Sequence, residues 1–470
     1  MGLWLPDKPR EECGIFGIYA PGRDAAARFS YYGLYALQHR GQESAGIAVA
    51  DGQRVQLYKD MGLVPEVFSV DQLSQLTGHI AIGHVRYSTT GSSHAVNAQP
   101  LLFRYAEGMM ALAHNGNLTN VTELRSQLMA NGAVFQSSTD SEVIVNIIAR
   151  SYRGDLKDAL AKCMIDIKGA YSLIMLTEHQ LIAMRDPHGF RPLCLGELED
   201  GFVVASESAA LGAVGATLVR DIQPGEIVMI DENGVSSCQI LQPRQKAHCI
   251  FEYIYFARPD STIDGYNVGQ VRREMGRVLA EEYPVDADLV IPVPDSGTAA
   301  ARGYAEKSGL PFEEGLMKNR YIGRTFIQPN QDMRDLAVRI KLNPVREILA
   351  GKKVVMVDDS IVRGTTSRKI VTMLRKSGVR EVHMCLSSPP ITKSCYYGID
   401  TSDECELIAA QMSLEEICAQ IGVDGLHYLS LDGLLNIFGA SRNMFCTACF
   451  NGHYPVEVVK PHEAGKYSLE

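Results

Sequence analysis

The stretch that most constrains the fold is an apolar run followed at once by two acids, a turn and a helix, KKVVMVDDSIVRGTTSRKIVTMLRKSG at residues 352–378. A run such as Val354–Val357, apolar at every position, is typical of a parallel strand buried on both faces. Similar strand and helix patterns lie on either side, in ADLVIPVPDSGTAAARGYAEKSG and EVHMCLSSPP. From about residue 262 onward, the sequence therefore predicts an α/β doubly wound parallel sheet.

The two acids and the turn after this strand indicate a phosphate site. Ligands of doubly wound folds bind at the carboxyl ends of the strands, and the N–H groups of Gly364, Thr365 and Thr366 would face a phosphate there. Asp358 and Asp359 suit ribose hydroxyls or Mg²⁺. The alternative is that the acids only end the strand and cap the turn. Strand, acids and turn together favour the site.

The N-terminal half has a different pattern, with short alternating segments such as CGIFGIYA, HIAIGHVRYST, GAYSLIMLT and FVVASES. One helix is predicted through VTELRSQLMANG, with Val121, Leu124 and Leu128 on one face and Gly132 as its stop. Another helix follows SSTDSEV, where Ser and Asp can cap its first turn. Strands interleaved with a few helices predict an α+β sandwich in which sheets are packed between helices.

Cys13 opens a well-formed strand behind a leader, MGLWLPDKPREE, that has no regular pattern. Three explanations compete: a secretion signal, an unstructured start before an ordinary core cysteine, or a propeptide. The leader lacks a basic start and a long apolar run, and it ends in glutamates where a signal peptidase requires small residues. Removal of residues 1–12 would give Cys13 a free α-amine, which can accept the thiol proton near neutral pH.

Polar residues in the same half supply the other groups that a cysteine needs to attack an amide. Arg86 can bind an α-carboxylate and Asp140 an α-ammonium. The side-chain amide of Asn115 and the N–H of Gly116 can form an oxyanion hole. Arg40 and Thr89, in the neighbouring motifs LQHRGQESAG and GHVRYSTTGS, are further candidates for binding the amide substrate, which the resemblance given below identifies as glutamine. Each residue taken singly is more often structural, but their joint presence favours a site.

The composition of the chain limits the classes of molecule that it is expected to bind. The 470-residue chain has a formal charge of −10, which argues against nucleic acid, and no run of about 18 apolar residues that would suit a membrane span. Its eleven cysteines are an odd number in a chain without a secretion signal. A disulfide framework is therefore not expected. We expect a cytoplasmic protein that acts on small molecules.

Taken together, the motifs from Cys13 to about Pro455 resemble the glutamine phosphoribosylpyrophosphate amidotransferase family, and VVMVDDSIVRGTTS resembles the phosphoribosyl pyrophosphate signature of phosphoribosyltransferases. The resemblance implies an α+β N-terminal-nucleophile (αββα) glutaminase sandwich followed by an α/β doubly wound phosphoribosyltransferase domain. The implied division is a propeptide at 1–12, a class II glutamine amidotransferase domain at 13–245, a phosphoribosyltransferase domain at 262–440, and a cluster-binding segment and tail at 441–470.

The resemblance also implies the reaction. Ammonia released from glutamine at Cys13 would pass internally to phosphoribosyl pyrophosphate, giving 5-phosphoribosylamine and pyrophosphate in the first step of de novo purine synthesis. Mg²⁺ would be bound near Ser296, Asp358 and Asp359. A homotetramer inhibited by purine nucleotides is implied as well.

A basic segment at residues 318–341 fits a lid over pyrophosphate, with the alternative of a solvated surface loop. Its cations are Lys318, Arg320, Arg324, Arg334 and Arg339.

Cys446 and Cys449 form a C-x-x-C near the C-terminus, and by itself this pair is redox-active, zinc-binding or accidental. The family subgroup that has a propeptide also carries a 4Fe-4S cluster, and by position the resemblance adds Cys249 and Cys395 to the pair. Cys385, Cys405 and Cys418 stay open as alternatives to Cys395.

Two other functions are compatible with parts of the chain. A glucosamine-phosphate synthase would share the glutaminase half, but its partner domain has no such phosphate loop. A non-catalytic regulator would keep the phosphoribosyltransferase fold, but would lack the residues around Cys13.

Overall fold

The computed structural model of the chain describes residues 13–22, 24–87, 94–242, 245–319, 342–401 and 404–458. The predicted propeptide 1–12, Thr89 and the lid residues Arg320, Arg324, Arg334 and Arg339 lie outside these ranges. None of the helices within them is both long and apolar enough to cross a membrane.

The N-terminal half contains two antiparallel sheets. In chain order their strands are β1 (Gly14–Tyr19), β2 (Ser44–Ala50), β3 (Val55–Met61), β4 (Ile80–Arg86), β5 (Leu101–Tyr105), β6 (Gly108–Leu118), β7 (Gly169–Leu176), β8 (Leu181–Arg185), β9 (Cys194–Leu198), β10 (Gly201–Ala205), β11 (Thr217–Asp221), β12 (Glu226–Asp231) and β13 (Gly234–Gln239). The order is β11-β9-β10-β1-β4-β2-β3 in one sheet and β13-β12-β8-β7-β6-β5 in the other.

Strand β1 shows why a central strand of this half is apolar at nearly every position. Successive side chains of a strand point to opposite faces of the sheet. Phe16 and Ile18 pack on the side covered by helices, whereas Ile15 and Tyr19 pack between the two sheets. All of them are buried. The central strand thus has no face toward solvent.

Helices cover the outer face of each sheet. They are α1 (Ala26–Ala36), α2 (Val64–Val67), α3 (Val70–Gln75), α4 (Val121–Ala130), α5 (Ser141–Ser151), α6 (Leu156–Asp166) and α7 (Ser208–Ala213). Helices α1 and α7 share an apolar core with the first sheet, and α4, α5 and α6 share one with the second. This αββα layering confirms the predicted sandwich. Gly132, at φ +81°, follows the end of α4 as the sequence predicts.

The C-terminal half is built on a parallel sheet. The strands of the whole C-terminal half are β14 (His248–Cys249), β15 (Thr262–Ile263), β16 (Tyr266–Asn267), β17 (Leu289–Pro292), β18 (Leu316–Lys318), β19 (Leu342–Pro344), β20 (Lys353–Asp358), β21 (Glu381–Leu386), β22 (Gly425–Tyr428) and β23 (Phe445–Cys446). Its helices are α8 (Val268–Glu282), α9 (Thr298–Ser308), α10 (Arg346–Leu349), α11 (Thr365–Lys376), α12 (Ile408–Gln411), α13 (Leu414–Ile421), α14 (Leu431–Asn436) and α15 (Ala448–Asn451).

The main sheet has the order β17-β20-β21-β22, and its neighbouring strands are parallel. In β20, Val355 and Val357 pack on the side of α8 and α9, whereas Val354 and Met356 pack on the side of α11 and α13. Helices on both faces confirm the doubly wound prediction. The carboxyl ends of β17 and β20 adjoin, since the N–H of Val293 donates to the carbonyl oxygen of Val357 over 2.8 Å.

Candidate active sites

Cys13 lies at the start of β1, which runs between β10 and β4 in the first sheet. Its Sγ donates a hydrogen bond to the carbonyl oxygen of Tyr87 over 3.4 Å. Burial raises the pKa of the thiol to about 11, although the nearby Arg86 guanidinium acts in the opposite direction. The thiol is therefore protonated near neutral pH, and a nucleophilic role would require a base.

Two charged residues predicted to hold the substrate lie close to this thiol. Arg86 ends β4 and is buried, and burial lowers its pKa against the opposing charges of Cys13, Glu43 and Asp140. Asp140 also acts on the ionisation of Cys13. Arg86 at the end of β4 and Asp140 before α5 thus lie near Cys13, although they are 73 and 127 residues further along the chain.

Asp140 stands before α5 as the sequence predicts, but its carboxylate does not cap that helix. One oxygen accepts the N–H of Leu118 over 3.1 Å, and the other lies 3.4 Å from Nδ1 of His114. Burial alone would raise the pKa of Asp140, but these partners hold it below its usual value. The carboxylate stays ionised at neutral pH. His114 is a site residue that the sequence analysis missed, because nothing local links it to Asp140.

Asn115 and Gly116 lie together on β6. Within the described part of the chain, neither Nδ2 nor Oδ1 of the buried Asn115 has a hydrogen-bond partner. A buried amide without partners is costly, so its donor is available for a bound group. Gly116 has φ +142°, and a Cβ there would lie 2.0 Å from the carbonyl oxygen of Ala170. Only glycine fits this position.

Arg40 is buried in a different set of contacts. Its Nε donates to Glu207 over 2.5 Å, and its two terminal nitrogens donate to Glu252. These carboxylates raise its pKa despite burial. The ion pairs join the glutaminase half to the π-helical turn Glu252–Phe256. A role for Arg40 in binding glutamine stays a prediction.

The predicted phosphate site lies at the carboxyl ends of β17 and β20. Asp358 and Asp359 are buried there. Oδ1 of Asp358 accepts the N–H of Asp359 over 2.9 Å and the hydroxyl of Ser296 over 3.4 Å. Ser360 donates to Asp359 over 2.7 Å. The structure thus brings the three predicted metal and ribose ligands to one edge of the sheet.

The turn after these acids leads into α11. Gly364 has φ +76°, and a Cβ there would lie 2.9 Å from Cδ1 of Ile408, so the turn requires glycine. Thr365 and Thr366 begin the helix, and the backbone N–H groups of a helix's first turn point out of its N-terminus. Of the cations in the predicted lid, Lys318 lies within the described residues, and it pairs with Asp295 beside Ser296.

Comparison with known proteins matches both halves. A family model described as a glutamine amidotransferase domain matches residues 84–213, and one described as a phosphoribosyl transferase domain matches residues 268–421. The amidophosphoribosyltransferase of Synechococcus elongatus is 51% identical over 480 residues, covering 100% of this chain and 96% of the relative. That of Bacillus subtilis is 51% identical over 461 residues, covering 96% of each chain.

The chain belongs to the amidophosphoribosyltransferase family.

Solved structures agree with this family assignment. The B. subtilis glutamine phosphoribosylpyrophosphate (PRPP) amidotransferase complexed with ADP and GMP has a TM-score of 0.91 and 49% identity, covering 97% of this chain and 100% of that one. A structure described as the allosteric regulatory enzyme of purine biosynthesis has a TM-score of 0.92 and 50% identity, covering 97% and 99%. Membership in the amidophosphoribosyltransferase family contradicts both the glucosamine-phosphate synthase and the regulator alternatives.

In this amidophosphoribosyltransferase fold, four cysteines line one pocket between the two halves: Cys249, Cys395, Cys446 and Cys449. Cys249 and Cys446 are aligned where β14 pairs with β23. Burial raises the pKa of both thiols to about 12, and the neighbouring Arg191 opposes this. In the described ranges, no three His, Cys, Asp or Glu side chains are grouped closely enough for a single metal ion.

The other candidates for the fourth cysteine lie elsewhere. Cys385 is in the core of the parallel sheet beside Tyr304, and Cys405 is exposed. Cys418 donates to the carbonyl oxygen of Val423 over 3.2 Å. None of the three lines the pocket that holds Cys395.

Proposed function

We propose that this chain hydrolyses glutamine at Cys13 and transfers the ammonia to phosphoribosyl pyrophosphate. The products would be glutamate, 5-phosphoribosylamine and pyrophosphate, in the first step of de novo purine synthesis. The observation that carries the proposal is that one chain places Cys13 near Arg86 and Asp140, and Asp358 and Asp359 before the turn that leads into α11. The names of its relatives agree.

The glutaminase steps follow from the residues around Cys13. After removal of the leader, the α-amine takes the thiol proton and Sγ attacks the carboxamide carbon. The Asn115 amide and the Gly116 N–H stabilise the oxyanion. The C–N bond breaks, ammonia leaves with the transferred proton, and water hydrolyses the thioester to glutamate. Arg86 holds the α-carboxylate and Asp140 the α-ammonium, with Arg40 and Thr89 as further binding residues.

The transferase step uses the edge of the parallel sheet. Ammonia attacks C1 of the ribose and the bond to pyrophosphate breaks. Asp358 and Asp359 hold the ribose hydroxyls, and the N–H groups of Gly364, Thr365 and Thr366 hold the 5-phosphate. Internal passage keeps ammonia from dilution and protonation in water.

Mg²⁺ fits this site because the oxygens of Ser296, Asp358 and Asp359 are the hard donors that it prefers. When bound, it neutralises charge on the pyrophosphate leaving group. Cations of the 318–341 lid would add to this, and the pair between Lys318 and Asp295 supports its nearness to the site.

We also propose a 4Fe-4S cluster held by the four cysteines of the shared pocket, with a structural role. A four-thiolate set is the usual ligand set of such clusters, and Arg191 beside the pocket favours thiolates. A four-iron cluster is larger than one ion, so its ligands lie further apart than those of a single metal.

Cleavage before Cys13 and the domain bounds 13–245 and 262–440 are also part of the proposed function.

Regulation by purine nucleotides is proposed because one relative was solved with ADP and GMP. A cytoplasmic homotetramer is proposed from the family resemblance alone. The central test is an assay of purified, processed protein for glutamine-dependent pyrophosphate release with phosphoribosyl pyrophosphate and Mg²⁺. Release that depends on all three is expected. No release by protein that begins at Cys13 would contradict the proposal.

A further inference from the structure

Residues 394–401, here called the 394–401 segment, come from the C-terminal half but touch the strand that carries Asn115 and Gly116. Nδ2 of Asn117 donates to the carbonyl oxygen of Tyr396 over 3.0 Å. The buried Arg191 donates to the carbonyl oxygen of Tyr397. Both contacts bridge more than 200 residues of sequence. The segment therefore lies directly against the candidate oxyanion site.

Two glycines also approach each other at this contact. A Cβ on Gly398 would lie 3.4 Å from the carbonyl carbon of Gly116 and 2.9 Å from Nη2 of Arg191. Gly398 has φ +113°, which side chains rarely adopt. Backbone thus packs on backbone behind Gly116, and a side chain at position 398 would press on the Arg191 guanidinium.

Phe190 and the C-terminal tail also hold the segment in place. The Tyr397 ring stacks on Phe190 with centroids 4.4 Å apart, and its hydroxyl exchanges hydrogen bonds with the backbone of Val456 at 2.8 and 3.0 Å. The hydroxyl of Tyr454 donates to the carbonyl oxygen of Ser394 over 2.7 Å. A segment clamped at three points is rigid enough to fix what it touches.

We propose that the 394–401 segment is a positioning element for the glutaminase reaction. Through Asn117, Arg191 and Gly398 it would set the direction of the Gly116 N–H and the place of the Asn115 amide. Oxyanion donors act only when aimed at the charge that develops in the transition state. A displacement of about 1 Å can lower a rate about 100-fold. The inference rests on the proposed function of Cys13 and adds residues that do not touch the substrate.

The first test replaces Gly398 by alanine. Gly154→Ala is the matched control, because Gly154 also has a positive φ, +102°, but no atom of the described residues lies within 4 Å of its Cβ position. For Gly398→Ala we expect kcat for glutamine hydrolysis to fall about tenfold or more while KM for glutamine changes little. Ammonia-dependent transfer should keep its wild-type rate. Alkylation of Cys13 by iodoacetamide, which forms no oxyanion, should also be unchanged.

A second pair of variants covers the case in which Gly398→Ala does not fold. Asn117→Ala removes the donor to Tyr396, whereas Asn120→Ala removes a comparable bond of 3.0 Å to the carbonyl oxygen of Asp166. Only Asn117→Ala should lower kcat for glutamine. Equal kcat in the variants and their controls, or parallel loss of the alkylation and ammonia-dependent rates, would overturn the inference. Wild-type protein without glutamine hydrolysis would instead contradict the proposed function.

Discussion

Cys13 and Tyr87 are joined by a hydrogen bond in which the thiol is the donor and the backbone carbonyl oxygen the acceptor, over 3.4 Å. This contact holds the sulfur at the edge of the first sheet where β1 begins, next to Arg86. It also requires the protonated form of the thiol, which agrees with the raised pKa of about 11. Activation of Cys13 must therefore come from a group that removes this proton.

The first prediction concerns pH. In protein shown by intact mass to retain its leader, alkylation of Cys13 by iodoacetamide should speed up about tenfold for each unit between pH 7 and 9, because the thiolate is the reactive form and its pKa is raised. The rate is measured by peptide mass spectrometry. A plateau below pH 9 would show that the thiol ionises more readily than its burial implies.

A second prediction concerns the leader. Mature protein should begin at Cys13, and intact mass should show the loss of Met1 to Glu12. Cys13→Ala should abolish glutamine-dependent activity but keep ammonia-dependent activity, because the transferase site does not use the thiol. Full glutamine-dependent activity in protein that retains the leader would refute the α-amine as the base.

A third prediction concerns the oxyanion. Asn115→Ala should lower kcat for glutamine hydrolysis about 100-fold to 1,000-fold, the usual effect of losing one oxyanion donor. Steady-state kinetics measure it, with ammonia-dependent transfer as the internal reference. Asn146→Ala is the control, because Asn146 donates within its own helix, to the carbonyl oxygen of Glu142. If the two variants behave alike, Asn115 has no part in the reaction.

A fourth prediction separates the two halves. The double change of Asp358→Asn and Asp359→Asn should lower phosphoribosyl transfer by about 100-fold or more with either nitrogen source, because two charges leave the ribose and metal site. Basal glutaminase should remain. Asp286→Asn with Asp288→Asn is the control, because these acids contact Lys353 at the opposite end of β20. Normal transfer by the first pair would make its acids structural.

The fifth prediction concerns iron. Protein purified without air should be brown and contain about four irons per chain, as a 4Fe-4S site requires. Iron should be lost in Cys395→Ser and kept in Cys405→Ser, because only Cys395 lines the pocket of the other three cysteines. Metal analysis and visible absorbance measure this. Iron-free wild-type protein with full activity would remove the cluster from the proposal.

The strands, turns and motifs that depend on short-range patterns could be predicted from the sequence alone. Short alternating segments, such as the one that became β1, predicted an α+β sandwich, and the continuous run Val354–Val357 predicted a parallel strand. Asp358, Asp359 and Gly364 follow that strand within seven residues, so a single turn is enough to bring them together. Membership in a family was also readable, because its motifs are contiguous.

The contacts between side chains that are distant in sequence could be found only from the three-dimensional structure. It directs the Arg40 guanidinium to Glu207 and Glu252, and it turns the Asp140 carboxylate toward His114 instead of its own helix. It places Gly398 behind Gly116. These contacts cross up to 282 positions of sequence. No local preference specifies them, because they result from packing two sheets, a domain junction and a tail into one buried interior.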